Sequence, residues 1–233
     1  MKIRYYGHSA MSFHVGEYTV MVDPFLTDNP LYGRVPTDLK LSTIVCTHGH
    51  EDHVGNAVEL SKQHQVPVVS AFELASHLDK LGATTIPCGL GGRVNHAWGW
   101  SKFVPAFHSS SHGGQYMGMP AGVILNFGEH VVYHAGDTCV FSDMKLIAEL
   151  YKPTVACLPM GGHFTMDIYE AVKAVEFIQP ELVIPIHYGT WPPLAEDPHE
   201  FKRQVEAKGY SKVEVMAVDQ ILEVASAKAG VKA

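Results

Sequence analysis

Three histidines and an aspartate occupy one short stretch of the chain, in the order His48-x-His50-x-Asp52-His53. An apolar run, residues 41–46, precedes this stretch, and a helix-like pattern follows it. Neutral imidazole and carboxylate groups are the usual protein ligands of zinc and related divalent ions. A buried core would have to provide a partner for every ring nitrogen, and a solvated loop rarely clusters three histidines. The spacing therefore predicts a metal site in preference to a histidine-rich surface loop.

One loop offers too few ligands for two metal ions, so strand ends elsewhere in the chain become relevant. His108, Asp137 and His187 each follow an apolar run that is typical of a buried strand. In layered α/β folds, functional side chains gather in the loops at strand ends. One such residue alone is more often a capped turn than a ligand. Three of them, together with the His48–His53 stretch, favour metal ligation.

Two parts of the chain repeat one pattern of predicted elements, and this pattern positions the candidates. Each part contains a hairpin, at residues 11–22 or 123–134, whose second strand runs into Asp23 or Asp137. This weak repeat predicts two packed sheets with helices outside, and no long polar linker divides the chain, so we expect one domain over residues 1–233. Helices are expected near residues 54–63, 71–81, 142–151, 167–178 and 198–208, with strands near 2–5, 43–46, 66–70, 155–159, 182–186, 213–216 and 220–224. Residues 84–107 are expected to form short strands between Gly-rich turns, and residues 226–233 to fray.

The composition limits the classes of function that the chain can have. With 46% hydrophobic and 18% charged residues among 233, the chain can build a substantial core. Its net charge of −7 argues against a dominant surface for nucleic acid or acidic membrane. The absence of an apolar signal core and of a long apolar span predicts a cytoplasmic protein.

The four cysteines are widely spaced and form no C-x-x-C pair. This distribution predicts buried, reduced thiols and no disulfide framework. Cys139 follows Asp137 closely and could line the site, but a small core residue is the favoured interpretation.

The ordered set of Asp23, the His48–His53 stretch, His108, Asp137 and His187 resembles that of the metallo-β-lactamase-like hydrolase superfamily, over nearly the whole chain. Residues 7–9, 22–26 and 161–167 are similar to a branch of metal-dependent hydrolases related to L-ascorbate-6-phosphate lactonase. The resemblance implies an α/β fold, a four-layer αβ/βα sandwich, with a dinuclear metal site at one edge of its two sheets.

The resemblance also implies how seven side chains divide between two divalent ions. It places His48, His50 and His108 on one ion, Asp52, His53 and His187 on the second, and Asp137 as the bridge between them. Zinc is the expected metal, and manganese and iron are alternatives that this ligand set does not exclude.

A site of this kind predicts a hydrolase acting on a small-molecule substrate. A hydroxide that bridges the two ions would attack a small ester, lactone or phosphorylated compound. Asp52 and His163 are the predicted catalytic residues: Asp52 would orient the hydroxide as well as bind metal. His163, in a Gly-rich loop, would supply an acid or a substrate contact. A loop histidine bonded to backbone is an equally good interpretation of His163.

Several neighbouring residues are assigned supporting roles. Asp23 is expected to accept backbone and imidazole hydrogens behind the ligands, with an Asx-Pro turn as the alternative. His8 could hydrogen-bond near the site, although a purely structural role is favoured. Residues 109–114 are expected to form a flexible lid or hydroxyl-donor loop. Residues 191–194 could wall the substrate, although a packed loop is favoured.

Two other functions would use the same ligands. An RNA or phosphodiester-cleaving nuclease would need a basic groove with aromatic platforms, and only scattered basic residues are present, which makes nucleic acid the less favoured partner. An iron-binding redox protein would differ only in its metal. No membrane partner is expected, and the sequence leaves open whether the chain forms a homo-oligomer.

Overall fold

The structure is a computed structural model that describes residues 1–225. The prediction that residues 226–233 fray lies outside the described residues. In chain order, the strands and helices are β1 (Lys2–Tyr5), β2 (Met11–Val15), β3 (Tyr18–Val22), β4 (Thr43–Val45), α1 (Glu51–Val54), α2 (Ala57–His64), β5 (Val68–Ala71), α3 (Phe72–Lys80), β6 (Thr85–Cys88), β7 (Arg93–His96), β8 (Gly99–Pro105), β9 (Ser111–His112), β10 (Gln115–Tyr116), β11 (Ala121–Asn126), β12 (Val131–His134), α4 (Met144–Tyr151), β13 (Val155–Pro159), α5 (Ile168–Ile178), β14 (Leu182–Ile186), α6 (Pro198–Ala207), β15 (Lys212–Val213) and β16 (Ile221–Glu223).

Within residues 1–225, the strands form two seven-stranded sheets and one short hairpin. The first sheet has the order β16-β1-β2-β3-β4-β5-β6, and the second has the order β15-β14-β13-β12-β11-β8-β7. One apolar cluster, which includes Phe13, Val22 and Val123, lies between the sheets. Two further clusters join the outer face of each sheet to its helices. These layers confirm the predicted α/β sandwich.

The strand pairing brings particular strand ends to one edge. β3 pairs in parallel with β4, and Val22 lies opposite Val45. In the second sheet, β12, β13 and β14 also run parallel, with His134 opposite Cys157 and Pro159 opposite Ile186. Parallel strands end at the same edge of a sheet, so the loops after β3, β4, β12 and β14 become neighbours.

Helix α5 illustrates how local sequence fixes an outer layer. Asp167 caps its first turn, because the Asp167 carboxylate accepts the Glu170 N–H at 2.8 Å. Ala171, Val175 and Ile178 recur at intervals of three or four residues and are buried against the second sheet. Capping and spacing therefore agree on where the helix begins and which face it buries.

Three features differ from the sequence predictions. Residues 111–116 form the β9–β10 hairpin where a flexible lid was expected. The predicted strand at 213–216 ends at Val213. Cys139 is exposed, so its interpretation as a small core residue is wrong, whereas Cys46 and Cys157 are buried as predicted. Within residues 1–225, none of the helices is both long and apolar enough to cross a membrane.

His96 gives the fold a defined sensitivity to acid. Its ring stacks on Trp98 with 4.4 Å between ring centroids, and its Nε2 lies 2.9 Å from the Ser101 hydroxyl. Burial lowers the pKa of His96 from 6.5 to about 4. The folded state thus binds fewer protons than the unfolded state between these values. The stability contributed by His96 is complete above the unfolded pKa and is lost as the pH falls toward the folded pKa.

We expect His96→Gln to flatten the acid dependence of stability. Between about pH 7 and about pH 4.5, the variant should lose less free energy of unfolding than the wild type, by on the order of 1 kcal/mol after solvent screening. Urea unfolding across this pH range measures the difference. His199→Gln, at an exposed position on α6, is the matched control. Parallel curves for wild type and His96→Gln would contradict the assignment.

Candidate metal centre

The candidate ligands come from distant parts of the chain and meet at one edge of the sandwich. The His48–His53 stretch follows β4, while Asp137 follows β12 and His187 follows β14. Asp137 Oδ2 lies 3.0 Å from His187 Nε2, and Asp137 Oδ1 lies 3.3 Å from His53 Nε2. The two halves of the chain therefore contribute to one cluster, as the strand ends predicted.

The first group of donor atoms belongs to His48, His50 and His108, whose nitrogens lie within 4.8 Å of one another. His48 is fully buried, and burial together with the nearby His53 lowers its pKa well below the ordinary value. Burial also lowers the pKa of His50 and of His108. The three rings are therefore neutral near pH ~7, which is the form that binds metal.

The second group contains Asp52, His53 and His187, joined by His8. Asp52 Oδ2 lies 3.9 Å from Nε2 of His53 and 3.9 Å from Nε2 of His187. A third group, formed by His48, His53 and Asp137, overlaps the other two. The structure thus brings the seven predicted ligands close together, with Asp137 grouped with one histidine from each of the other two groups, and their ligation of metal stays a prediction.

The charge of this cluster fits a bound cation. The carboxylates are those of Asp23, Asp52 and Asp137, and among the described residues their ion-pair partners are histidines, with no lysine or arginine within 4.0 Å. Burial opposes ionisation of Asp137, yet His187 and His53 hold the pKa of Asp137 well below its usual range. Buried negative charge of this kind requires compensation by positive charge.

Three buried side-chain atoms of the candidate ligands make no hydrogen bond: His53 Nε2, Asp137 Oδ1 and His187 Nδ1. The first two, an imidazole nitrogen and a carboxylate oxygen, lie 3.3 Å apart. Burial favours the neutral ring of His53, but Asp137, Asp23 and Asp52 raise its pKa well above the ordinary value. Nitrogen and oxygen donors that face each other without a partner suit a divalent ion such as zinc. The residues present therefore fit the metal that the resemblance implies.

Asp23 holds the loop that carries the ligands. Its Oδ1 accepts the Thr47 N–H at 2.8 Å, and its Oδ2 accepts the Thr47 hydroxyl at 2.8 Å and the His53 Nδ1–H at 2.7 Å. The predicted role of Asp23, as an acceptor of backbone and imidazole hydrogens, is confirmed. The Thr47 hydroxyl has given its hydrogen to Asp23, so it accepts from His48 Nδ1 at 3.0 Å. With Nδ1 bonded in both rings, Nε2 is the nitrogen that each histidine has left for a metal, which would displace any proton that Nε2 carries.

The β9–β10 hairpin braces the same loop from outside. The Ser110 hydroxyl accepts the Gly49 N–H at 3.0 Å, and Glu51 Oε1 accepts the Gly113 N–H at 2.9 Å. Met117 packs so closely on Gly49 that a Cβ at position 49 would overlap it. Position 49 therefore requires glycine, and the segment contacts the ligand loop through Ser110, Gly113 and Met117, while its role as a lid stays a prediction.

A cavity of about 320 Å³ opens onto the donor atoms. Phe164 and Trp191 line it beside five of the candidate ligands and Ser109. The lining by Trp191 supports its interpretation as a substrate wall. His163 is exposed, has a left-handed backbone (φ 52°) and packs against Phe164. It is not among the residues that line the cavity, so its catalytic role stays a prediction.

His8 is absent from the predicted ligand set, yet it is fully buried within the second group. Burial and the neighbouring His187 lower the pKa of His8 to about 4, so its ring is neutral. One sequence feature points to it: His8 follows a strand, β1, as the predicted ligands His108 and His187 follow theirs, although β1 contains Lys2 and Arg4 and lacks their apolar run.

Comparison with known proteins agrees with this fold and site. A model of the beta-lactamase superfamily domain matches residues 2–187. A UPF0173 metal-dependent hydrolase of Thermus thermophilus is 45% identical over 210 residues, covering 90% of this chain and 93% of that protein. A UPF0173 metal-dependent hydrolase of Bacillus cereus is 43% identical over 212 residues, covering 88% of this chain and 93% of that protein.

Among solved structures, Igni18, a metallo hydrolase from the archaeon Ignicoccus hospitalis, is 37% identical with a TM-score of 0.88, covering 96% of this chain and 99% of that one. The chain belongs to the beta-lactamase superfamily and, within it, to the UPF0173 metal-dependent hydrolases. The predicted enzyme class is thereby confirmed, and the closer kinship to a lactonase stays a prediction.

We expect Asp23→Asn to weaken metal binding without removing a ligand. An amide presents N–H groups to the donors of Thr47 and His53, so the orientation and tautomer of His53 are no longer fixed. The expected loss of metal affinity is about 10–100-fold. Chelator competition measures it, with Asp79→Asn, at an exposed position on α3, as the control. Equal affinity in wild type and Asp23→Asn would refute this role.

Proposed function

We propose that this metal-dependent hydrolase uses two divalent ions, with zinc as the expected metal, to cleave a small uncharged ester or lactone. The observation that carries the proposal is the arrangement of donor atoms in two groups with Asp137 between them. His48, His50 and His108 would hold one ion, and the second group would hold the other. Imidazole and carboxylate donors support zinc, with manganese and iron as alternatives.

The reaction would depend on what the chain's own residues do around the substrate. When bound, two divalent ions lower the pKa of a water molecule toward neutrality and stabilise charge that develops on a carbonyl oxygen. The Asp52 carboxylate, which lies at the cavity wall, would accept a proton from the attacking water. The same carboxyl would return that proton to the leaving alcohol oxygen. Asp137, which lies between the two groups of donor atoms, would fix the distance between them.

The cavity lining supports an uncharged substrate. Among the described residues, no lysine or arginine lines this cavity, which offers two aromatic side chains, Phe164 and Trp191, beside the donor atoms. A phosphorylated compound or an RNA strand carries additional negative charge that cationic side chains usually bind. The volume of about 320 Å³ is within the range of small-molecule sites. A small ester or lactone therefore fits better than a phosphate ester or nucleic acid.

A reducing compartment such as the cytoplasm is also part of the proposal. Cys46 and Cys157 are buried free thiols, and Cys88 and Cys139 are likewise unpaired in disulfides. Unbridged cysteines are usual in reducing compartments.

Removing a ligand of the second group should cost one metal ion and most of the activity. We expect wild type to bind two equivalents of zinc and Asp52→Ala and His187→Ala to bind one. Hydrolysis of nitrophenyl esters and lactones should fall by at least about 100-fold. Elemental analysis and initial rates measure both effects, and His199→Ala is the control. Full turnover in either variant would disprove the mechanism, and iron with redox activity would favour the redox alternative.

The aromatic wall should determine which substrates bind. Phe164→Ala and Trp191→Ala should each raise KM for aryl or long-chain esters by about 10-fold, since each removes a ring contact of about 1.4 kcal/mol. KM for an acetyl ester should change less. Phe72→Ala, an exposed aromatic outside this cavity, is the control. If wild type cleaves a nitrophenyl phosphodiester faster than the esters, the proposed substrate class is wrong and a nuclease is favoured.

A further inference from the structure

We infer that His8 is a positioning residue for Asp52, held in place by Thr190. The inference rests on the proposed function, because it concerns the carboxylate that would bind the second ion and accept the proton of water. It assigns a role to a side chain outside the predicted ligand set.

The contacts of His8 join both sides of the site. His8 Nε2 lies 3.0 Å from Asp52 Oδ2, and His8 Nδ1 lies 2.8 Å from the Thr190 hydroxyl. The His8 carbonyl accepts the His187 N–H at 2.8 Å and the Tyr5 hydroxyl at 3.1 Å. The imidazole of His8 therefore connects Asp52, on α1, to Thr190, in the loop that follows β14.

The donor of each hydrogen bond that links Thr190, His8 and Asp52 can be assigned. An ionised Asp52 only accepts, so the hydrogen between His8 and Asp52 belongs to His8 Nε2. A neutral ring with its hydrogen on Nε2 has a bare Nδ1, which accepts the hydrogen of the Thr190 hydroxyl at 2.8 Å in preference to the Tyr188 carbonyl, which lies 3.4 Å from that hydroxyl. The order of donation is therefore Thr190 to His8 to Asp52, and a single tautomer of His8 satisfies it.

This arrangement distinguishes a positioning residue from a metal ligand. A ligand nitrogen must be bare, whereas His8 Nε2 carries a hydrogen directed at Asp52 Oδ2. The second group already has Asp52, His53, His187 and the shared Asp137, so a zinc ion there has enough protein ligands without His8. Oδ2 is also the Asp52 oxygen that lies 3.9 Å from Nε2 of His53 and of His187, so by holding Oδ2 His8 restricts rotation of the carboxylate where it faces the second group.

The test compares four variants by metal binding and by turnover. His8→Phe removes the hydrogen bond to Asp52 and should weaken binding of the second zinc by about 10–100-fold, while the first zinc binds as in wild type. His8→Gln keeps an N–H that reaches Asp52 and should restore affinity to within about 3-fold of wild type. Thr190→Val should give an intermediate loss. In His8→Phe, kcat should fall while KM stays unchanged, because Asp52 acts on water.

The matched control is His14→Phe. His14 also bonds two hydroxyls, of Ser12 at 2.8 Å and Thr19 at 3.0 Å, but it lies on β2 outside the donor groups. Its variant should bind both zinc ions as wild type does. Thermal unfolding of each metal-free variant checks the fold. If His8→Phe does not fold, His8→Gln and Thr190→Val decide the outcome.

X-ray absorption of the zinc-loaded protein provides a readout that does not depend on activity. Wild type and His8→Gln should show the same number of imidazole nitrogens per zinc. One imidazole fewer in His8→Gln would identify His8 as a ligand and overturn the inference. Unchanged binding of the second ion in both His8→Phe and Thr190→Val would overturn it while leaving the proposed function intact. A wild-type protein that binds fewer than two ions would instead overturn the proposed function, and this inference with it.

Discussion

The rest of the site depends on how the charge of three carboxylates, whose ion-pair partners are all histidines, is compensated. Asp23 and Asp137 are buried and Asp52 is partly buried, and of the described residues none with a permanent positive charge pairs with them. An uncompensated buried charge costs several kcal/mol, so the surrounding histidines, and the cations they would hold, are a condition of the local fold. Each imidazole whose Nδ1 is committed to a neighbour, such as His53 to Asp23, presents Nε2 to the same space. The charge balance of the carboxylates and the tautomers of the histidines therefore favour the same arrangement of donor atoms.

The register of the strands determines where the carboxylates of Asp23 and Asp137 lie. Asp23 and Asp137 each follow the second strand of a hairpin, yet they point to different places. Asp23 has a left-handed backbone (φ 49°) and reaches back to Thr47, which turns its carboxylate into a support. Asp137 follows Gly136 (φ 60°), whose missing Cβ lets Thr47 approach closely. The repeat predicted from the hairpins is thus present in the topology, while the backbone geometry at the two aspartates gives their carboxylates different contacts. A slip of one residue in either hairpin would turn these carboxylates away from the site.

The parts that could be predicted from sequence are those with local or periodic causes. The hairpins, the capped helix α5 and the strand ends before His108 and His187 all follow from such patterns. The β9–β10 hairpin was not predictable, because its contacts are with Gly49 and Glu51, about sixty residues earlier in the chain. The sequence raised a hydrogen bond of His8 near the site, but it could not name the partners Asp52 and Thr190, since both are remote in sequence. His163 has a suitable residue type in a suitable loop, but the neighbouring Phe164 takes the position at the cavity.

The charge balance also constrains the substrate. Two divalent ions would exceed the three carboxylates by about one positive charge, which suits the single negative charge that develops on a carbonyl oxygen during acyl transfer. A phosphate ester brings at least one further charge, and the cavity provides Phe164 and Trp191 where cationic side chains would be needed. Binding such an anion would leave charge without a partner in a partly dry site, at a cost that aromatic contacts do not offset. The proposed preference for an uncharged ester or lactone thus rests on the same electrostatics that assembles the donor atoms.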